Sequence, residues 1–248
     1  NLKINLYGQE LNDVTYAICK SDLLMTNENP DNIHGPSSSI SDANIGKVKG
    51  SWEANGVSID SRFVSEGDLF IALTGPKYDG HDFVLEALEK GAVAAIVNRD
   101  LANKLDTVNK RLVIVEDTFT ALDQLATHRR KNSLGKFIAI TGSVGKTGTK
   151  EIFRTCFSKL KNIYVNESSF NNHIGVPVSL SRIPASTKFC MLEIGMNRLG
   201  EIKNLSNLVK PEVAIITAIE KSHLEGLKTL KNIALAKSEI IESLSSKG

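Results

Sequence analysis

The sequence predicts an α/β protein whose second half is built on a mostly parallel sheet. Short apolar segments with strand character alternate with segments of helical spacing, which is typical of βαβ units. The apolar segments of the second half are continuous rather than alternating, as in strands buried on both faces. A glycine-rich turn at residues 142–145 joins one of these strands to a helix. Because ligands of such sheets bind beyond the carboxyl ends of the strands, we expect a binding site there.

The chain divides into three predicted segments. Residues 1–50 are poorly patterned, with a possible short helix at Leu11–Leu24 and a loop rich in Asn, Ser, Gly and Pro at Thr26–Gly50. Residues 51–133 form a small α/β domain. Its predicted strands are Val57–Ile59, Asp68–Leu73, Ala92–Val97 and Leu112–Val115. Its predicted helices are Asp82–Lys90 and Thr118–Lys131.

Residues 134–248 form the second predicted domain. Strands are expected at Phe137–Thr141, Ile163–Val165, Phe189–Ile194 and Val213–Thr217. Helices are expected from the glycine turn to about Leu160, near Gly200–Val209 and at Thr229–Leu244.

Composition excludes several classes of protein. The 248 residues carry 30 basic and 28 acidic side chains, so a net charge of +2 gives no basic field for nucleic acid or an anionic membrane. Cys19, Cys156 and Cys190 are an odd number without paired spacing, which argues against disulfides and a zinc site and fits a cytoplasmic location. No apolar run approaches the roughly 18 residues of a membrane helix. The chain begins with Asn and stops directly after a helical pattern, so we interpret both ends as possible truncation points.

The strongest chemical signal is the segment Gly142, Ser143, Val144, Gly145, Lys146, Thr147 and Gly148. Glycines between a strand and a helix let successive N–H groups point at phosphate oxygens, and the helix N-terminus adds a favourable dipole. Lys146 can reach the β and γ phosphates, and the Thr147 hydroxyl can bind Mg²⁺. The general phosphate-loop pattern has glycine where this chain has Ile140, and an ordinary glycine turn is the alternative.

Five motifs occur along the second half of the chain: T-G-x-x-G-K-T at residues 141–147, F-N-N-H-I-G-V-P at 170–177, L-E-I-G-M-N at 192–197, H-L-E-G at 223–226 and A-K-S-E-I at 236–240. Together they resemble the motifs of the Mur ligases and their folylpolyglutamate synthetase relatives. Their order and spacing are similar to the type that adds D-alanyl-D-alanine, rather than the types that add diaminopimelate or lysine. The sequence departs from the family at Gly148, where Thr or Ser is usual, and at Met196, where Ala is common.

The resemblance implies a catalytic set of Lys146, Asn171, Glu193, His223 and Lys237, and a metal site of Thr147, Glu193, His223 and Lys237. A carboxylate such as Glu193 at a strand end suits Mg²⁺, although alone it would more often be a solvated loop residue. His223 rests mainly on the family match, because an isolated His after a strand is usually structural. Asn171 precedes Asn172 in a pair that in isolation is commonly just a turn.

Lys237 carries a signal of its own. Leu230, Ile233, Ala234, Lys237, Ile240, Ile241 and Leu244 follow helical spacing, so a lysine interrupts an apolar face. A charged ammonium is costly there, unless the lysine extends from the edge of the face to water. The resemblance implies that Lys237 is carbamylated, and desolvation would help the amine capture CO₂.

In the first domain, S-I-D-S-R at residues 58–62, G-D-L-F at 67–70 and D-G-H-D-F at 79–83 resemble the UDP-binding domain of the family. This implies that Ser61 contacts the uridine diphosphate and that the loop Gly75–Gly80, with Pro76 and Lys77, flanks the uracil. A polar strand exit with a local salt bridge is the alternative for residues 60–62.

The resemblance implies a cytoplasmic, monomeric ligase that uses ATP and Mg²⁺ to add D-alanyl-D-alanine to UDP-N-acetylmuramoyl-tripeptide through an acyl phosphate. The family's third, C-terminal domain is missing from these 248 residues, so we expect this chain alone to be inactive. Two other functions remain open. One is a folylpolyglutamate- or cyanophycin-type ligase, which the S-I-D-S-R and D-G-H-D-F elements disfavour. The other is a nucleotide-binding module that has lost catalysis.

Overall fold

The computed structural model describes residues 2–5, 51–102, 105, 111–167, 170–221 and 224–244. The chain separates into two compact units, residues 1–128 and 129–248. The segments predicted at Leu11–Leu24 and Thr26–Gly50 lie outside the described residues. The predicted domain limits at residues 51, 133 and 134 stay a prediction.

The first unit holds a four-stranded parallel sheet and a separate antiparallel pair of strands. The pair is β1 (Leu2–Asn5) with β2 (Ser51–Ala54), and the sheet has the order β3 (Gly56–Ser58), β4 (Asp68–Ile71), β5 (Ala94–Asn98) and β6 (Leu112–Val115). The helices are α1 (Val84–Glu89), α2 (Arg99–Ala102) and α3 (Thr118–Lys131), the last of which contains the boundary between the units.

Burial explains why these segments form strands. Every residue of β4 is buried, as expected for a parallel strand covered on both faces. Phe70, Ala95 and Val97 pack with Val84 and Leu88 of α1 in one apolar core. A 3-10 turn, Gly80–Phe83, precedes α1, and the Asp79 carboxylate caps it by accepting the His81 N–H at 3.0 Å.

The second unit is built on a parallel sheet with the strand order β10-β7-β9-β8. Its strands are β7 (Lys136–Thr141), β8 (Ile163–Val165), β9 (Phe189–Glu193) and β10 (Val213–Ile216). The helices are α4 (Lys146–Cys156), α5 (Gly175–Ser181), α6 (Glu201–Val209), α7 (Leu224–Leu227) and α8 (Leu230–Ser238), and a 3-10 turn follows at Glu239–Ser243. The structure therefore confirms the predicted α/β class and the parallel sheet.

The topology of this sheet places the site. The connection from β7 to β8 runs towards one lateral edge of the sheet, and the connection from β9 to β10 runs towards the opposite lateral edge. Because right-handed crossovers in opposite directions cover opposite faces, the loops after β7 and β9 diverge at the carboxyl edge. Such a switch point opens the crevice in which parallel α/β sheets bind ligands. Thr141 ends β7 and Glu193 ends β9, so both lie at this edge.

The structure corrects several predicted element limits. The expected helix Asp82–Lys90 begins as a 3-10 turn and is α-helical only over α1. The expected helix Thr229–Leu244 is α-helical over α8 and then tightens to a 3-10 turn. The expected continuation to Leu160 stops at Cys156, and α5 was not predicted at all. Within the described ranges, no helix combines the length and the apolar character that crossing a membrane requires.

Candidate active site

The glycine turn forms a loop between β7 and α4. Gly142 and Gly145 have φ angles of 151° and 90°, in the left-handed region that favours glycine, and Gly145 is the N-cap of α4. Lys146 and Thr147 open the helix, so their backbone N–H groups lie in its first turn, where an anion is favoured. At Gly148 an added Cβ would meet no described atom within 4 Å, so a lack of space does not require glycine there.

The loop is fastened to the segment that follows β10. Thr217 Oγ1 donates to the Val144 carbonyl oxygen at 2.5 Å, and a Cβ at Gly142 would collide with the same hydroxyl. The Ser143 N–H donates to the Ala218 carbonyl oxygen at 2.8 Å, and the Ser143 hydroxyl donates to the Glu220 carbonyl oxygen at 2.9 Å. The Val144 side chain is exposed, although its carbonyl oxygen accepts the hydrogen bond from Thr217.

Lys146 lies over its own loop. Its Nζ donates to the Gly142 carbonyl oxygen at 2.6 Å and lies 3.5 Å from the Ser143 carbonyl oxygen. Among the described residues no carboxylate pairs with it. The ammonium is half-buried at the N-terminus of α4, where it can contact an anion without first breaking a salt bridge.

Glu193 is held at the end of β9 by two asparagines. Asn171 Nδ2 donates to Oε1 of Glu193 at 2.9 Å. Asn166 Oδ1 accepts the Glu193 N–H at 2.8 Å, while Asn166 Nδ2 donates to the carbonyl oxygens of Phe170 and Glu193. Glu193 is 3% exposed and Asn166 is 1% exposed. The predicted residues Asn171 and Glu193 are therefore in direct contact.

A lysine that the sequence interpretation missed completes this cluster. Lys150 is 1% exposed, and its Nζ lies 2.7 Å from Oε2 of Glu193 and 3.2 Å from the Asn166 carbonyl oxygen, to which it donates. The contact with Oε2 is an ion pair, and no other described group donates a hydrogen bond to Oε2. Lys150 follows Lys146 by one turn of α4, with Phe153 buried on the same side. A lysine at helical spacing on an apolar face is the signal that singled out Lys237, and it was available here too.

Lys237 is buried in α8, so it does not extend from the edge of the apolar face to water. It is 2% exposed and has no hydrogen-bond or ion-pair partner among the described residues. Burial, with a smaller contribution from the charge of Lys146, lowers the pKa of Lys237 to about 8. The predicted stripe was wrong in part, because Leu230 and Ile241 are exposed and Ala236 is buried instead. The change to a 3-10 turn after Ser238 alters the spacing at Ile241, whereas Leu230 is the first residue of α8 and lies at its exposed end.

The predicted metal set is only partly described. His223 lies outside the described residues. Thr147 is exposed at the start of α4, and Glu193 and Lys237 are buried at the places given above. The described ranges contain no group of three or more His, Cys, Asp or Glu side chains able to hold a metal. The metal site stays a prediction.

The first unit contains the residues predicted to bind UDP. Ser61 is buried, and its hydroxyl donates to Oε2 of Glu86 at 3.1 Å. The Asp60 carboxylate pairs with Arg62 at 2.6 Å, which is the local salt bridge of the alternative interpretation. Pro76 and Lys77 are exposed in a tight loop that the Gly75 N–H closes by donating to the Tyr78 carbonyl oxygen at 2.8 Å.

Comparison with known families identifies the class. Residues 140–248 match the model of the Mur ligase middle domain, and residues 53–130 match the model of the Mur ligase family catalytic domain. The first match contains the phosphate loop, Glu193 and Lys237. The chain belongs to the Mur ligase family.

Two curated relatives illustrate the similarity within that family. The chain is 40% identical over 200 residues to the UDP-N-acetylmuramoyl-tripeptide–D-alanyl-D-alanine ligase of Rickettsia prowazekii, covering 80% of this chain and 43% of the relative. The ligase of the same name from Bacillus subtilis is 39% identical over 78% of this chain and 42% of the relative. The chain thus spans less than half the length of these relatives.

Solved structures give the same result. MurF from Acinetobacter baumannii matches with a TM-score of 0.67 and 35% identity, over 77% of this chain and 42% of that chain. MurF ligase from Thermotoga maritima, solved in complex with ADP, matches with a TM-score of 0.65 and 33% identity, over 77% of this chain and 44% of that chain.

Proposed function

We propose that this chain is the nucleotide-binding and precursor-binding part of an ATP-dependent ligase that joins D-alanyl-D-alanine to UDP-N-acetylmuramoyl-tripeptide. The observation that carries the proposal is that Lys146 follows β7 while Glu193, in contact with Asn171, ends the neighbouring strand β9, so that both lie at the carboxyl edge of one parallel sheet. The identity to the ligases of that name supports the particular substrates.

ATP is the nucleotide that we assign to the loop after β7. The first turn of α4 and the Lys146 ammonium offer donors and positive charge to phosphates. The two glycines with positive φ let the backbone turn towards such a ligand. The ADP complex of the related ligase from Thermotoga maritima supports this assignment.

The chemistry of the site fits a magnesium ion. Oγ1 of Thr141 is a buried oxygen without a hydrogen-bond partner among the described residues, and Oε2 of Glu193, which faces the Lys150 ammonium, is a buried carboxylate oxygen at the end of the adjacent strand. Mg²⁺ takes oxygen ligands and usually keeps a carboxylate together with substrate phosphates. We propose that Thr147 and Glu193, with His223 and a carbamylated Lys237, hold it. When bound, the ion would neutralise charge on the phosphates.

The proposed reaction has two steps. A carboxylate oxygen of the tripeptide attacks the γ-phosphorus of ATP, the bond to the β-phosphate oxygen breaks, and ADP leaves. The amine of D-alanyl-D-alanine then attacks the acyl carbon of the acyl phosphate, loses a proton, and expels inorganic phosphate. Lys146 would offset the charge on the transferred phosphoryl group, and Asn171 would keep Glu193 oriented, because positioning and electrostatics dominate phosphoryl transfer.

The buried amine of Lys237 suits carbamylation. Capture of CO₂ requires the neutral amine, and the lowered pKa of Lys237 increases the neutral fraction near neutral pH. The carbamate places a carboxylate where the sequence has a lysine. This change supplies an oxygen ligand that a hard cation accepts.

We assign the UDP end of the precursor to the first unit, through Ser61, Pro76 and Lys77. The UDP group is far from the reacting carboxylate of the precursor, so its binding energy can position the peptide for phosphoryl transfer without contacting the reacting atoms. A cytoplasmic location and a monomeric state belong to the same proposal.

Product formation tests the proposed function. The protein as its gene encodes it is incubated with ATP, Mg²⁺, UDP-N-acetylmuramoyl-tripeptide and D-alanyl-D-alanine, and the UDP-linked pentapeptide is sought by mass spectrometry. We expect the pentapeptide only when all four are present. Nucleotide binding without the pentapeptide would instead favour a module that has lost catalysis.

A further inference from the structure

Lys150 and Glu193 form an ion pair away from water. Their side chains are 2% and 4% exposed, and Nζ lies 2.7 Å from Oε2. Neither residue reaches solvent to any useful extent, so each charge depends on its neighbours for compensation. Removing one partner of such a pair leaves an uncompensated buried charge, which proteins tolerate poorly.

The two oxygens of the Glu193 carboxylate have different surroundings. Oε1 accepts a hydrogen bond from Asn171 at 2.9 Å. Oε2 faces the Lys150 ammonium and accepts no hydrogen bond from any other described residue. Lys150 itself is tied to the Asn166 carbonyl oxygen. The oxygen that receives no asparagine hydrogen bond is therefore the one that the ammonium faces.

We propose that Lys150 is a positioning residue that acts as the internal counter-ion of Glu193 and keeps a divalent cation from binding before nucleotide does. This inference rests on the proposed function, because it takes Glu193 as a ligand of the nucleotide-associated metal. An ammonium and a divalent cation compete for Oε2, since like charges at close range repel.

Nucleotide changes the balance between the two cations. The phosphates add negative charge beside α4, so the site can then hold both the Lys150 ammonium and the metal ion. Without phosphates, the carboxylate has one negative charge and the ammonium already compensates it. Lys150 therefore makes metal affinity depend on nucleotide, which favours uptake of the metal–nucleotide complex over the metal alone.

A purely structural role for Lys150 predicts a different result. In that case its removal would destabilise the unit by the same amount with or without metal. The proposal instead predicts that a variant without the ammonium gains affinity for a divalent cation in the absence of nucleotide. The gain must disappear when Glu193 is also neutralised.

The probe is Mn²⁺ alone, followed by the paramagnetic resonance signal of the free ion. Lys150→Met should bind Mn²⁺ on the order of tenfold more tightly than the wild type, because a buried positive charge next to the carboxylate is gone. Lys150→Met combined with Glu193→Gln should lose that gain. Lys159→Met, an exposed lysine beyond the other end of α4, is the matched control and should leave Mn²⁺ affinity unchanged.

A second variant protects the test against misfolding. Lys150→Gln keeps a polar group able to donate to the Asn166 carbonyl oxygen, and it should show the same gain. If Lys150→Met is destabilised without metal, Mn²⁺ should raise its melting temperature more than it raises that of the wild type. Unchanged Mn²⁺ affinity in folded Lys150→Gln, or a gain that survives Glu193→Gln, would overturn the proposal.

Titration of wild-type protein with Mg·ADP separates the two hypotheses. If the wild type binds Mg·ADP while the Lys150 variants show no gain in Mn²⁺ affinity, only the role of Lys150 is wrong. If the wild type does not bind Mg·ADP, the proposed function itself fails.

Discussion

Thr217 holds the phosphate loop through the carbonyl oxygen of Val144, 2.5 Å from its hydroxyl. Thr217 follows β10 and Val144 lies between β7 and α4, so the contact joins the ends of two neighbouring strands. The Thr217 backbone N–H also donates to the Thr141 carbonyl oxygen at 3.0 Å. The conformation of the loop therefore depends on the segment that leads towards His223.

Replacing Thr217 tests this dependence. Thr217→Val removes the donor to Val144 and should weaken ADP binding by about 0.5–1.5 kcal/mol, the usual net value of one hydrogen bond. Thr217→Ser keeps the hydroxyl and should bind ADP nearly as the wild type does. Isothermal calorimetry measures both variants. Equal affinities of the Val and Ser variants would show that the hydroxyl does not stabilise the binding conformation.

Lys146 gives the most direct prediction about nucleotide. Lys146→Ala should weaken Mg·ADP binding by about 1.5–3 kcal/mol, because a charge-assisted contact with phosphate is lost. Lys159→Ala, an exposed lysine after the same helix, is the control and should have no effect. Calorimetry again gives the affinities. Unchanged binding in Lys146→Ala would remove the loop from the nucleotide site.

Lys237 is predicted to be carbamylated. In the protein as its gene encodes it, Lys237→Ala should lose ligase activity, because the buried amine that captures CO₂ is gone. A short carboxylic acid should restore part of the activity by filling the vacated space. Lys231→Ala, on the exposed side of α8, should remain active. Full activity of Lys237→Ala without added acid would contradict the prediction.

Ser61 is predicted to affect binding of the UDP-linked precursor and not binding of ADP. Ser61→Ala should weaken binding of UDP-N-acetylmuramoyl-tripeptide by about 0.5–1.5 kcal/mol, because the hydroxyl and its bond to Glu86 are lost. ADP binding should stay the same, since separated sites without shared partners act additively. Ser65→Ala, an exposed serine of the same unit, is the control. Competition between the precursor and ADP for one site would show that the two-site interpretation is wrong.

The sequence was most informative where local pattern and tertiary role agree. The strands at Leu112–Val115 and Ile163–Val165 and the helix Thr118–Lys131 have the predicted limits. The helix Gly175–Ser181 was missed because its Gly and Pro are typical of breaks. Pro177 is tolerated there because it lies in the first turn, where no intrahelical partner is needed.

The sequence predicted only those residues of the candidate site that belong to a recognisable motif. Lys146, Glu193 and Asn171 belong to recognisable segments, and the structure brings Glu193 and Asn171 into contact. Lys150 and Asn166 belong to none of the motifs that resemble the family. Their contacts with Glu193 depend on β9 lying between β7 and β8. That strand order, which follows from long-range packing, cannot be read from spacing along the chain.

The transfer of oxygen from substrate to phosphate tests the central claim most directly. UDP-N-acetylmuramoyl-tripeptide with heavy oxygen at both oxygens of its terminal carboxylate is incubated with ATP, Mg²⁺, D-alanyl-D-alanine and the protein as its gene encodes it. Mass spectrometry then examines the released phosphate. An acyl phosphate requires the attacking carboxylate oxygen to leave with the phosphate, so each phosphate should carry one labelled oxygen and form only with D-alanyl-D-alanine present. Unlabelled phosphate, released whether or not the tripeptide and D-alanyl-D-alanine are present, would contradict the account.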